Sequence, residues 1–203
     1  MNGRTIGLVL AGLIAGGAIA AISTTTGFGP PPGGSKAVVT GKPLIGGPFT
    51  LTDHTGKRVT EKDFLGRYAL VFFGFTHCPD ICPSGLQVMT AALDKIGAKA
   101  SDVVPVFITL DSARDTPSKL AEYLKSFHPR LVGLSGSAEE LAAAAKSYRV
   151  YYQKIVDEKS PDSYSFDHSA MFYLMGKDGV FMAPIPHTTN VDELARALDA
   201  ALP

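Results

Sequence analysis

A continuous apolar run, Tyr68 to Phe75, leads directly into Thr76-His77-Cys78-Pro79-Asp80-Ile81-Cys82-Pro83, and this junction restricts the folds open to the chain. A short run that is apolar at every position and rich in aromatics suits a strand covered on both faces, the centre of a sheet rather than its edge. Pro79 and Pro83 disfavour helical angles at the residues before them, Cys78 and Cys82. The segment therefore reads as a turn through Asp80 and Ile81. Cys82 lies near an N-cap, Pro83 takes the first helical position, and a helix runs to Ile96. Cys78 and Cys82 are the only cysteines in the chain. A turn here brings their sulfurs close enough for a disulfide or for joint chelation of one soft metal ion. The positive end of the following helix lowers the thiol pKa, and Asp80 works against it. A structural staple, a redox couple and half of a metal site all remain open from these residues alone.

Beyond this junction strands alternate with helices. Pro48 to Thr52 and Arg58 to Thr60 read as short strands around the turn Asp53-His54-Thr55-Gly56. Val103 to Leu110 is a second continuous apolar strand. After it, Asp111-Ser112-Ala113-Arg114-Asp115-Thr116-Pro117 starts a helix to Phe127, with Thr116 as N-cap and Pro117 first. Leu131 to Leu134 is a short strand, and Ser137 with Glu140 forms a capping box for a helix to Tyr148. Val150 to Val156 alternates as a strand, and Asp157 to Asp167 is a polar loop. Ala170 to Met175 and Val180 to Pro184 form a hairpin, and Asn190 with Glu193 caps a last helix to Leu202. This order predicts an α/β fold, a three-layer α/β/α domain with a central mixed sheet; two cysteines at the end of a βα unit make it thioredoxin-like.

The 203 residues carry 19 Lys plus Arg against 19 Asp plus Glu, so no net field points to nucleic acid as a partner. Ile6 to Ile22 carries no charge, and Thr5 to Ile22 as a helix spans about 27 Å, close to a bilayer core. Residues 1–23 are thus expected to be a cytoplasmic start and one transmembrane helix. Arg4, with no Lys or Arg until Lys36, keeps the N-terminus in the cytoplasm. Ala18-Ile19-Ala20 before Ala21 also fits a signal-peptidase site, and a cleaved signal peptide is the competing reading. Residues 24–46, rich in Gly, Pro, Ser and Thr, form a linker, and 47–203 hold the domain. In an exported domain an idle close cysteine pair would be oxidised.

The CysProAspIleCysPro segment, the AspSerAlaArgAspThrPro segment and Asp167-His168-Ser169 before a strand occur in this order. With them the chain resembles the Sco/SenC family of membrane-anchored copper chaperones. The resemblance implies a thioredoxin-like fold and copper, Cu(I) and also Cu(II), held by Cys78, Cys82 and His168. It implies delivery of that copper to the dinuclear centre of cytochrome c oxidase subunit II. The implied location is the bacterial inner membrane, single-pass, with the C-terminal domain periplasmic. Another periplasmic copper carrier and a thioredoxin-like reductant are the further partners. Two thiolates and an imidazole suit Cu(I), and a three-coordinate site leaves room for an incoming ligand. A structural zinc site would want a fourth protein ligand. The competing function is a thiol-disulfide reductase that keeps the target cysteines reduced, with Cys78 and Cys82 as attacking and resolving thiols. Around the site, Asp167 is expected to orient His168 through its second ring nitrogen. Asp111 is expected to cap a turn or to offer an oxygen ligand to oxidised copper. His77 reads first as a partly exposed loop residue, and otherwise as a group supporting the ligands or an alternative ligand. His54, His128 and His187 read as structural or solvated, and Asp115 as a turn residue.

Overall fold

The apolar run becomes strand Tyr68–Gly74, buried from Ala69 onward, as a strand with no polar face must be. The structure, a computed structural model, describes residues 44–203 except 158 and 159. The expected membrane anchor and the linker up to Pro43 lie outside the described residues. Among those described, no helix is long and apolar enough to cross a membrane.

In chain order the strands are β1 (Thr50–Asp53), β2 (Arg58–Thr60), β3 (Tyr68–Gly74), β4 (Val103–Thr109), β5 (Val132–Ser135), β6 (Tyr152–Asp157), β7 (Ser160–His168), β8 (Met171–Met175) and β9 (Phe181–Pro186). The helices are α1 (Ile81–Lys95), α2 (Pro117–Leu124), α3 (Ala138–Ser147) and α4 (Val191–Ala201). Seven strands make one mixed sheet in the order β2-β1-β5-β4-β3-β8-β9. β3, β4 and β5 run parallel, and β1, β8 and β9 are antiparallel to their neighbours. Strand alternation sends Leu70, Phe72 and Phe107 to one face of the sheet, against Leu86, Met89 and Leu93 of α1, Leu120 of α2 and Leu194 and Leu198 of α4. Val71, Phe73, Val106 and Ile108 go to the other, against Leu141 and Ala144 of α3. Each fully buried Phe or Leu in these layers is worth about 1.5–3 kcal/mol. Helices on both faces of a mixed sheet give the three layers expected.

The predicted caps close the helices as written in the sequence. The Thr116 side chain accepts from the Lys119 N–H at 3.3 Å, and Ser137 with Glu140 and Asn190 with Glu193 form capping boxes. Two expectations change. α1 begins at Ile81 with Asp80 as N-cap, so Cys82 sits inside the first turn and Pro83 one residue further in. Proline is tolerated there because the first-turn N–H groups have no intrahelical acceptor. Within the segment expected as a polar loop, Asp157 to Asp167, the residues from Ser160 onward are strand. β7 pairs antiparallel with β6, Tyr152 opposite His168 and Lys154 opposite Phe166, as a separate two-stranded ribbon.

Candidate metal centre

Parallel pairing of β3 with β4 brings their carboxyl ends to one edge of the sheet, with Gly74 opposite Thr109. The cysteine turn leaves β3 at that edge and the Asp111–Thr116 turn leaves β4 beside it. β8 runs antiparallel to β3, Phe72 opposite Phe172, so its start returns to the same edge. His168, the last residue of β7, stands just before β8 and is delivered to the cysteines by this topology.

Cys82 is fully buried and Cys78 half-buried, and both are free thiols. The Cys82 backbone N–H points at Cys78 Sγ, 3.4 Å away. Cys82 Sγ lies 4.0 Å from His168 Nε2, across 86 residues of sequence. Phe75 sets this approach from below. Its ring packs edge-on against Phe166 at 5.3 Å and against the His168 imidazole at 6.0 Å. Tyr164, Phe166 and His168 share one face of β7 because strand side chains alternate.

The two thiols are unequal. A hydrogen bond from the Cys82 thiol pulls the Cys78 pKa down to about 5, aided by the N–H groups of Cys82, Asp80 and Ile81 and opposed by burial. Cys82 moves far upward, because it donates to Cys78, is buried, and faces the negative charges of Cys78 and Asp115. Cys78 is thus the more acidic thiol of the pair and Cys82 the more basic.

The surrounding polar residues take roles that spacing did not reveal. Asp115 is fully buried and receives the Thr76 N–H at 2.9 Å, the Thr76 hydroxyl at 2.5 Å and the Thr109 hydroxyl at 2.5 Å. It ties the cysteine turn to β4 rather than serving its own turn. Asp111, also buried, is paired with the Arg114 guanidinium and receives the Tyr164 hydroxyl at 2.9 Å. Arg114 stacks 3.6 Å above the Tyr164 ring and donates to the Tyr164 carbonyl at 3.1 Å. Asp111 also receives the Arg114 backbone N–H at 3.2 Å, the turn cap expected of it, and through the Tyr164 hydroxyl it holds the β6–β7 ribbon. His77 is exposed, with Nδ1 3.2 Å from the Thr76 hydroxyl. Its ring nitrogen and one carboxylate oxygen each of Asp111 and Asp115 lie within 4.8 Å of one another, the one such grouping of three ligand atoms among the described residues.

The partner of the second His168 nitrogen differs from expectation. Nδ1 lies 3.2 Å from the Ser169 carbonyl, and Asp167 is exposed. Adjacent strand residues face opposite ways, so Asp167 cannot share the side of the sheet that His168 occupies. The Ser169 carbonyl fixes Nδ1 as the N–H donor, leaving Nε2 with its lone pair towards the sulfurs. His54, His128 and His187 are occupied with backbone groups elsewhere: Gly133 N–H, Arg130 N–H and the Ala170 carbonyl.

Two sulfurs and an imidazole nitrogen, with one sulfur and the imidazole partly open to solvent, match the ligand softness of Cu(I). An apolar cavity of about 280 Å³ lies on the other face of the sheet, lined by Val71, Val106, Tyr148 and Met175, and none of the three residues borders it. The three residues stand at a sheet edge, with Cys78 and His168 partly exposed and Cys82 buried.

The SCO1/SenC family pattern matches residues 38–203. Protein sco1 of Schizosaccharomyces pombe is 48% identical over 161 residues, 78% of this chain and 61% of that protein. The chain spans 46 to 61% of the length of this relative and those in Arabidopsis thaliana and Homo sapiens, the latter two named as mitochondrial. Among solved structures, Bradyrhizobium japonicum ScoI with copper bound is 44% identical with a TM-score of 0.71, covering 77% of this chain and 98% of that one. BsSco, described by a disulfide switch and as a member of the Sco family of cytochrome c oxidase assembly proteins, is 26% identical with a TM-score of 0.60, covering 78% and 93%.

Proposed function

Because this chain belongs to the SCO1/SenC family, we propose that it is a copper chaperone of cytochrome c oxidase assembly, holding Cu(I) through Cys78 Sγ, Cys82 Sγ and His168 Nε2. The observation that carries the reading is the approach of Cys82 Sγ to His168 Nε2, 4.0 Å, beside Cys78, the more acidic thiol of the pair. Copper is the cargo. Loading takes the Cys82 proton to solvent and leaves two thiolates and a neutral imidazole around the ion. Handover proceeds by exchange, an incoming thiolate displacing the half-exposed ligands, His168 and Cys78, before the buried Cys82. The recipient we propose is the dinuclear copper centre of subunit II. Residues 5–22 act as the membrane anchor and 24–46 as the tether that holds the domain on the periplasmic side.

Anaerobic titration of the reduced full chain with Cu(I) and Cu(II), beside Cys78→Ala, Cys82→Ala and His168→Ala, tests this. One Cu(I) per chain is expected, with at least about tenfold weaker binding in His168→Ala. Equal Cu(I) affinity in His168→Ala and the parent would sink the three-ligand site.

A second reading rests on the acidic, half-exposed Cys78. Its thiolate attacks a target disulfide and releases one target thiolate. Cys82 then attacks the Cys78 sulfur of the mixed disulfide, releasing the second target thiolate and forming the Cys78–Cys82 disulfide. A thioredoxin-like reductant restores the dithiol. Fast thiol exchange with a subunit II peptide by a chain that binds copper weakly would favour this reading over the first.

A further inference from the structure

His168 ends a strand that is not paired into the main sheet. β6 and β7 form a ribbon of their own, and among the described residues no ladder joins it to the seven-stranded sheet. Side chains therefore decide how far the imidazole stands from the sulfurs. Phe75 supplies one contact, beneath Phe166 and His168. Between the rest of the ribbon and the body lies a cavity of about 200 Å³, with Leu110, Ser112 and Leu141 on one side and Tyr152, Tyr164 and Phe166 on the other.

Tyr164 bridges that gap and is gripped in three ways. Its hydroxyl donates to Asp111 at 2.9 Å, the Arg114 guanidinium lies 3.6 Å from the centre of its ring, and Arg114 Nη1 donates to its carbonyl at 3.1 Å. Both gripping residues belong to the turn after β4, where Arg114 is itself paired with the buried Asp111 carboxylate. The next residue of that turn holds the other half of the site. Asp115 receives the N–H and the hydroxyl of Thr76, two residues before Cys78. One turn, Asp111 to Asp115, thus ties down both ligand-bearing segments, the cysteine turn through Thr76 and β7 through Tyr164. Tyr164 and His168 lie on one face of β7, about 13 Å apart along the strand. Phe166 stands midway between them, packed edge-on against Tyr164 at 5.8 Å and against Phe75 at 5.3 Å. A displacement of the ribbon at Tyr164 is carried to His168 by a strand braced on Phe75.

We propose that Tyr164 is a positioning residue for His168: clamped by Asp111 and Arg114 across the cavity, it holds the ribbon where His168 Nε2 meets Cys82 Sγ, and it acts on the bound metal only through that histidine. This deepens the chaperone reading above and rests on it.

Tyr164→Ala in the full chain removes the clamp and leaves the buried Asp111 paired with Arg114. Its Cu(I) affinity, measured against a competing chelator, should fall about tenfold, as for other residues that orient a metal ligand. In a His168→Ala background the same substitution should cost nothing further, since the side chain it positions is gone. With Cu(II) bound, the nitrogen hyperfine coupling of the imidazole should weaken in Tyr164→Ala as it does in His168→Ala. Tyr164→Phe loses only the hydroxyl and should show the same pattern with a smaller loss; it carries the test alone if the alanine variant does not fold. A clamp that serves the fold alone would lower the melting temperature of Tyr164→Ala and leave its Cu(I) affinity and hyperfine coupling as in the parent. That result, or an equal loss of affinity with and without His168, overturns this inference alone. Cu(I) affinity unchanged by His168→Ala overturns the three-ligand site and this inference with it.

Discussion

Gly74→Ala is a direct test of how Cys82 is seated. A Cβ at this last residue of β3 would stand 2.6 Å from Cys82 Sγ and 2.9 Å and 3.3 Å from two carbons of the Phe107 ring. Non-bonded carbons rest about 3.5–4.0 Å apart, so the methyl intrudes by about 1 Å on the sulfur and by somewhat less on the ring. Both neighbours have no exposed surface, so relief has to come from shifts within a closely packed core. Overpacking of this size costs about 1–3 kcal/mol. The stiffer unfolded chain returns about 0.4–1 kcal/mol of it. The net loss is up to about 2.6 kcal/mol, read as a melting temperature lower by up to about 10 °C for a domain of this size. Displacing Sγ by up to about 1 Å also disturbs its approach to His168 Nε2, so Cu(I) affinity should fall with stability. Thermal unfolding of the reduced chain and chelator competition measure the two effects. A double-mutant cycle with Cys82→Ala isolates the cause, because removing the sulfur relieves part of the clash and leaves the part with Phe107. An alanine variant as stable as the parent, with unchanged copper binding, would refute this packing of Cys82 against the β3 backbone.

Two further outcomes follow from the electrostatics and the hydrogen bonds. Alkylation of Cys78 in the reduced chain should stay fast down to pH 6 and lose rate through about pH 5; in Cys82→Ala the midpoint should rise towards the ordinary 9.0, since the Cys82 thiol is the largest cause of the depression. The folded pKa lies below the unfolded one, so the Cys78 thiolate's contribution to stability is full above about 9 and is lost as pH falls through about 5. Asp115→Ala leaves the Thr76 N–H and the Thr76 and Thr109 hydroxyls without their acceptor and should cost about 2–4 kcal/mol; a urea midpoint within experimental error of the parent would show that this carboxylate does not hold the cysteine turn.

The sequence was most legible where the determinants are local. β3 and β4 announce themselves because a strand buried on both faces has no room for a polar residue, and the caps at Thr116, Ser137 and Asn190 lie within one turn of the N–H groups they satisfy. The start of α1 is less so, since a proline disfavours helical angles before it without forbidding them, and in the first turn its missing N–H costs nothing. β7 was hidden by composition. Its order comes from Phe166 and His168 packing on Phe75, and from Tyr164 reaching Asp111, contacts that span from 53 to 93 residues of chain and leave no local hydrophobic run. The period-two spacing of Tyr164, Phe166 and His168 was the available signal.

The same distinction separates the ligand candidates from their supports. Cys78 and Cys82 are paired by a turn that their own prolines shape, whereas His168 reaches them only because β8 runs antiparallel to β3 and starts where β3 ends. Asp115 looked like a turn residue because Thr116 and Pro117 follow it, yet its carboxylate is spent on Thr76, 39 residues away. Asp167 looked like the partner of His168 because it is adjacent in sequence. Adjacency argues the opposite once the segment is a strand: consecutive side chains point apart, so the neighbour that can reach Nδ1 is a backbone group, and the Ser169 carbonyl is the one that does. That backbone contact cannot be removed by changing a side chain, and so the tautomer of His168 is fixed by the path of the chain out of β7 rather than by an adjacent carboxylate.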